Sequence, residues 1–171
     1  MTGEIAFPGG ALRLTPTPAM TLFDVDGVGP LEPLAIAAAT AVALAIVRHD
    51  IGGSIGIDFP TLEGKAARQA VAAAIDAALP QPFERTAMNG FGFLQIVRPR
   101  RHAALPELLR ADPPAARTRA LLRQLERVPP PAPSHHKVPA RILAVLNAHP
   151  TWMADLARRT GVAATFESDA R

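Results

Sequence analysis

Three carboxylates are the side chains best placed to do chemistry. The stretch TLFDVDGVGP, residues 21–30, sets Asp24 and Asp26 one residue apart, behind an apolar run and ahead of Gly27. The stretch SIGIDF, residues 54–59, ends a second apolar run on Asp58. If both runs are parallel neighbouring strands, Asp24 and Asp58 meet at their C-terminal ends, where open α/β sheets hold ligands. Two carboxylates so close repel each other unless a proton or cation intervenes. Ligation by oxygen alone suits Mg²⁺ or Mn²⁺, and Mg²⁺ usually takes one or two carboxylates and completes its shell with water and phosphate. A pair of this kind can neutralise charge and activate water in phosphodiester cleavage. The same residues also suit a turn closed by Asp26 with Gly27 and a cap at Asp58, and spacing does not separate the two.

The remaining candidates each have two readings. Arg98, Arg100 and Arg101 can hold phosphates or form a solvated strand end. IGGSIG, residues 51–56, lacks phosphate-loop spacing and reads as a helix cap followed by a strand. GFGF, residues 90–93, reads as a bulge or close backbone approach. Phe91 and Phe93 can stack on a base or pack in the core, which is the expectation taken for both. His135, His136 and Lys137 have no partner at metal spacing and read as exposed loop residues. Trp152 reads as a packing anchor. There is no nucleophile elbow.

The elements that must position these groups follow from the pattern of breakers and apolar runs. Residues 9–16 and 19–26 read as two strands joined by a turn rich in Thr and Pro. Residues 33–49 form an Ala-rich helix apolar nearly all round, hence buried, and stopped by Gly52 or Gly53 in a left-handed cap. Residues 54–59 are a strand and 63–79 a second helix. Residues 83–89 and 90–98 are two more strands, with Asn89 and Gly90 at their turn. Right-handed crossovers then make the strands flanking each helix parallel neighbours. The fold class is α/β: a mixed sheet in the order β-β-α-β-α-β-β with helices packed on it, over residues 1–102. Residues 103–171 form a small helical extension. It has a helix over 103–127 broken near Asp112, a Pro-rich linker at 128–137, two short helices over 138–160, and VAATFES as a last short strand.

Composition bounds the function class. The chain has 171 residues, of which 49% are hydrophobic, so it can build a core and is not disordered. It has no Cys, which excludes disulfides and thiolate metal sites and fits a reducing compartment. No signal peptide opens the chain. Residues 34–47 give 14 apolar or near-apolar positions, short of the about 20 that a membrane span needs. The expectation is therefore a cytoplasmic protein without a membrane segment. Residues 1–97 hold 5 Lys/Arg and 9 Asp/Glu, whereas residues 98–171 hold 13 and 6. An acidic half beside a basic half suits a metal site next to a phosphate track. Frequent Arg from a GC-rich coding sequence accounts for the charge as well.

Two families share parts of this pattern. LFDVDG resembles the opening motif of haloacid dehalogenase-like phosphatases, but the later acidic pair of that family has no counterpart here. The stretch IVRHDIGGSIGIDF, residues 46–59, resembles the catalytic region of the ribonuclease E/G family. FPGGALRLTPTPAMTLFDVDG (7–27), GFGFLQIVRPRR (90–101) and HPTWMADLARRTG (149–161) resemble further pieces of it, in the same order. The resemblance covers most of the chain and implies the deoxyribonuclease I-like catalytic subdomain. It implies Asp24 and Asp58 as ligands of a catalytic Mg²⁺, with Mn²⁺ as a substitute, and Asp26 as the residue that supports the site and the scissile phosphate. It implies endonucleolytic hydrolysis of single-stranded RNA in RNA processing. Departures are Gly90 in place of Arg and Gln95 in place of Glu. The family's oligonucleotide-binding domain, 5′-phosphate sensor and ribonuclease H-like portion have no counterpart, and without Cys its zinc link is excluded, so no zinc is expected. Capture of RNA then calls for a homodimer or a partner that supplies an RNA-binding domain. The alternative is a non-catalytic RNA-binding remnant or a fragment of a longer ribonuclease.

Overall fold

The computed structural model describes residues 3–129 and 131–169. The chain divides into two compact units, Met1–Glu107 and Leu108–Arg171. The first holds the strands β1 (Glu4–Phe7), β2 (Gly10–Pro16), β3 (Thr21–Gly27), β4 (Gly53–Asp58), β5 (Glu84–Arg85) and β6 (Phe93–Arg98). The helices α1 (Leu31–Arg48) and α2 (Lys65–Ala78) connect them, and α3 (Leu105–Ala111) begins at the end of the unit. The six strands form one mixed sheet in the order β1-β2-β3-β4-β6-β5. Within it β3 and β4 are parallel and the other pairs antiparallel.

Alternation along the strands decides which face meets the helices. Leu12, Phe23, Ile55, Ile57, Leu94 and Ile96 are all fully buried in one core. The residues between them, Arg13, Asp24, Asp58 and Val97 among them, point to the other face. Against the core face lie Ala35, Ala38, Ala39, Val42, Ala43 and Ile46 of α1, each with no exposed surface. Four alanines in that stripe let the helix axis come close to the sheet. Val71 and Ile75 of α2 close the same core. Both helices therefore cover one face, and among the described residues of this unit no helix covers the other. By length and hydropathy α1 also meets the test for a membrane-crossing segment, yet this stripe is what fills the core.

Several expectations change. β1 was not foreseen, and it pairs with β2 along its whole length. The strands flanking α2 are not neighbours, because β6 lies between β4 and β5. The strand expected over 83–89 shortens to two residues: Thr86 N still donates to Gln95 O at 2.9 Å, but the return bond from Gln95 N goes to Thr86 Oγ1 at 3.0 Å and not to a backbone carbonyl. The left-handed residue that closes α1 is Asp50, at φ 51°, whereas Gly53 takes its positive φ of 82° at the start of β4 and Gly52 takes none. Asp50 N bonds to Val47 O and Ile51 N to Ile46 O, the double closure of a Schellman cap. Asp tolerates this region better than most residues.

The second unit contains α4 (Pro113–Glu126), β7 (His135–Val138), α5 (Ala140–Ala148), α6 (Pro150–Thr160) and β8 (Thr165–Ser168). Asp112 caps α4 through Ala115 N at 3.0 Å, with Pro at the first turn. Val138, Ile142 and Leu146 form a small core with Leu121, Leu122, Leu143, Met153 and Phe166 around it. The Pro-rich stretch 128–137 was expected to be linker throughout. Pro130 lies outside the described residues, and His135–Val138 instead pair in parallel with β8. His136 stacks on Phe166 with centroids 5.2 Å apart, and His135 Nδ1 lies 2.8 Å from Thr165 Oγ1. These histidines are strand residues. Trp152 does anchor packing: it stacks on His149 at 4.1 Å, and Arg119 lies over its ring at 4.6 Å.

Candidate functional site

The uncovered face of the sheet carries a row of side chains at one register level. Glu4 pairs with Arg13, Arg13 with Asp24, Asp24 with Asp58, and Asp58 with Phe93. Residues directly opposite each other across a ladder point to the same face. The row therefore runs acid, base, acid, acid, aromatic across five strands. Asp26, two residues beyond Asp24, points the same way, opposite Ala11.

Asp24 and Asp58 come together for reasons visible in the connecting elements. β3 leads through α1 into β4, and the crossover returns the chain beside its start in parallel. Both strands end within three residues of their acid, so the pair sits at their C-terminal ends. Neighbouring strands are about 4.8 Å apart, and Mg²⁺–oxygen bonds are about 2.1 Å, so the spacing matches one ion shared between two carboxylates. Like charges directly opposite are destabilising. Among the described residues only one cation pairs with either acid: Arg13 Nη1 is 3.9 Å from Asp24 Oδ2, with both side chains more than half exposed. Exposed pairs of that length contribute little. Asp58 and Asp26 make no side-chain hydrogen bond or ion pair among the described residues. A donor set of two or three hard oxygens without strong protein partners fits a divalent cation, and Asp24 and Asp58 are the residues that would hold it.

The far side of the site is built by the turn between β5 and β6. Asn89 Oδ1 accepts from Phe91 N at 2.9 Å and Phe93 N at 3.0 Å, which holds the turn closed. Gly92 takes φ +96°, and a Cβ there would lie 2.1 Å from Phe59 O. Its carbonyl accepts from Phe59 N at 3.1 Å, directly after Asp58. The glycine therefore presses this turn onto the end of β4. Neither phenylalanine of the turn is in the core, contrary to expectation. Phe91 is 86% exposed. Phe93 lies on the uncovered face over Gly56, where an added Cβ would meet Phe93 Cζ at 2.7 Å, Leu22 Cδ2 at 2.8 Å and Met20 Sδ at 3.1 Å. Phe93, Leu22 and Met20 thus form an apolar shelf beside the carboxylate pair.

Arg98, Arg100 and Arg101 are elsewhere. β6 runs antiparallel to β4, so Phe93 lies level with Asp58 while Arg98 lies level with Gly53. Five residues of strand separate the two levels, roughly 17 Å. The arginines stand at the opposite end of the sheet from the carboxylates. Arg13 and Glu4 join the row only through strand pairing, although the alternation of GALRLTP turns Arg13 away from the core once Leu12 and Leu14 face it.

Comparison with protein-family models and with curated proteins finds no match. The functional reading of this site therefore rests on its own geometry and on the residue patterns of the sequence.

Proposed function

We propose that this chain is a divalent-metal-dependent endoribonuclease of the ribonuclease E/G type, acting in the cytoplasm on single-stranded RNA. The observation that carries the reading is the register pairing of Asp24 with Asp58 on neighbouring parallel strands, on a face that no helix of the unit covers. A Mg²⁺ or Mn²⁺ ion bound there would offset charge at the scissile phosphate and acidify a water. The chain's own residues do the rest. Asp24 and Asp58 supply the oxygens, and Asp26, on the same face, accepts a hydrogen bond from the attacking water and orients it. Phe93 with Leu22 offers a surface on which a base adjoining the scissile phosphate stacks. Arg13 limits repulsion between the carboxylates.

The test is cleavage of a single-stranded oligoribonucleotide in Mg²⁺ by the wild type and by the Asp24→Asn, Asp58→Asn double variant. The variant is expected to lose on the order of a thousandfold in rate, the size of effect that metal assistance provides, and chelation of the metal should do the same to the wild type. Equal cleavage by both proteins overturns the proposal. RNA retained without cleavage supports the second reading, an RNA-binding remnant, which the distance between the arginines and the carboxylates favours. Hydrolysis of a small phosphoester that needs Asp24 but not Asp58 assigns a phosphatase instead.

A further inference from the structure

Beyond the carboxylates, the other end of the same sheet holds a cleft of about 360 Å³. Arg98, Arg100, Arg101 and His102 line it, together with Asp50 and Gln81. The acids in and beside it are already engaged. The Asp50 carboxylate contacts His102 Nε2, and Glu107 holds Arg100 through Oε2 at 2.8 Å while also accepting from Ala104 N at 3.1 Å. Arg98 and Arg101 make no side-chain hydrogen bond or ion pair among the described residues. Arg98 is nonetheless half-buried. A half-buried guanidinium facing a cleft, with five donors and no acceptor, is a poor arrangement without an anion. Guanidinium groups match the geometry of phosphate oxygens best.

We infer that this cleft is a phosphate-binding site, with Arg98 and Arg101 as the ligand-contacting residues and Arg100 held ready by Glu107. Asp50, beside His102 in the same lining, sets its strength. This residue sits in a left-handed position that glycine or asparagine fills more easily. The acid there orients His102 and restrains the positive field of the cleft. The phosphate comes from one of two sources, an internal phosphodiester of single-stranded RNA or a small free phosphate compound. The inference does not depend on the nuclease reading, because the cleft shares no residue with the carboxylate site.

Two probes separate the sources, using the full chain: a single-stranded oligoribonucleotide without terminal phosphates, and inorganic pyrophosphate. The Arg98→Ala, Arg101→Ala double variant is expected to weaken binding of one probe or both by about tenfold or more. If the oligonucleotide is the ligand, its log–log salt slope should fall by about 0.7 to 1. Loss confined to pyrophosphate identifies the small compound. Asp50→Asn should act in the opposite direction and tighten binding severalfold, which mere damage to the fold would not do. A Lys65→Glu variant, which changes the charge by two units on exposed α2 as the double variant does in the cleft, controls for net charge. Unchanged binding of both probes by the double variant overturns the inference, as does a loss no larger than that of Lys65→Glu. The Asp24→Asn, Asp58→Asn variant should keep cleft binding whether or not it cleaves RNA, so the two proposals fail separately.

Discussion

At the scale of single residues, the site depends on two kinds of position: acids that face outward, and a glycine that no other residue can replace. Asp24, Asp26 and Asp58 need only the period-two alternation of their strands to share a face. Gly92 is different, because it combines a positive φ with a backbone oxygen where a Cβ would be. Gly92→Ala is expected to lower stability by about 2–4 kcal/mol, the range for strained backbone with a steric clash, and to displace the chain after Asp58. Thermal melting measures the first effect. Gly56→Ala is the informative contrast: its contacts are the far ends of Phe93, Leu22 and Met20, which can rotate away. It should cost less than about 1 kcal/mol; on the proposed ribonuclease reading it should also weaken RNA binding by disturbing the shelf, and a melt paired with a binding titration separates the two effects.

At the scale of elements, the short strand β5 is fastened to α2 by a forked ion pair. Arg85 Nε donates to Asp76 Oδ1 at 2.6 Å and Nη2 to Oδ2 at 2.5 Å. The hydrogen bond from Arg85, aided by its charge and opposed by partial burial, holds the Asp76 carboxyl below its ordinary 3.8. A carboxyl depressed on folding contributes stability above its unfolded pKa, and that contribution is lost as pH falls through the lower folded value. Asp76 is half exposed, so the contribution is below about 1 kcal/mol. Asp76→Asn is therefore expected to melt a few degrees below the wild type at neutral pH, with the gap closing in acid below 3.8. A gap that persists unchanged in strong acid would mean that the pair contributes through packing and not through charge. The sequence pattern showed α1, α2, β2, β3 and β4 because each has a long apolar period. It did not show β1 or the brevity of β5. A four-residue strand such as EIAF has too few positions to display a period, and only its ladder to Arg13, Leu12, Ala11 and Gly10 makes it a strand.

At the scale of the whole molecule, the chain contains two cores of unequal size. Every residue of the larger one lies at or before Ala104. The stretch from Arg100 to Glu107 closes on the first unit through Arg100–Glu107 and through Leu105 N to His49 O at 3.0 Å. A chain ending at Glu107 is therefore expected to fold and melt cooperatively by circular dichroism. A non-cooperative melt would show that the second unit is needed for the first. The basic excess beyond residue 98 divides in this light: three arginines belong to the cleft of the first unit, and the remainder lies in the second.

The order of apolar runs and breakers was enough to specify an α/β sheet, its principal helices and the acids at the strand ends, because each of these is a local periodicity or a local stop. Which strands became neighbours was decided by the folded chain. β6 entered between β4 and β5, and in doing so it brought Phe93 level with Asp58 and carried Arg98 to the opposite end of the sheet. Register is a relation between segments far apart in the chain, fixed by how a shared core fills. Sequence spacing could therefore nominate Asp24 and Asp58 together, but only the ladder could part them from the arginines.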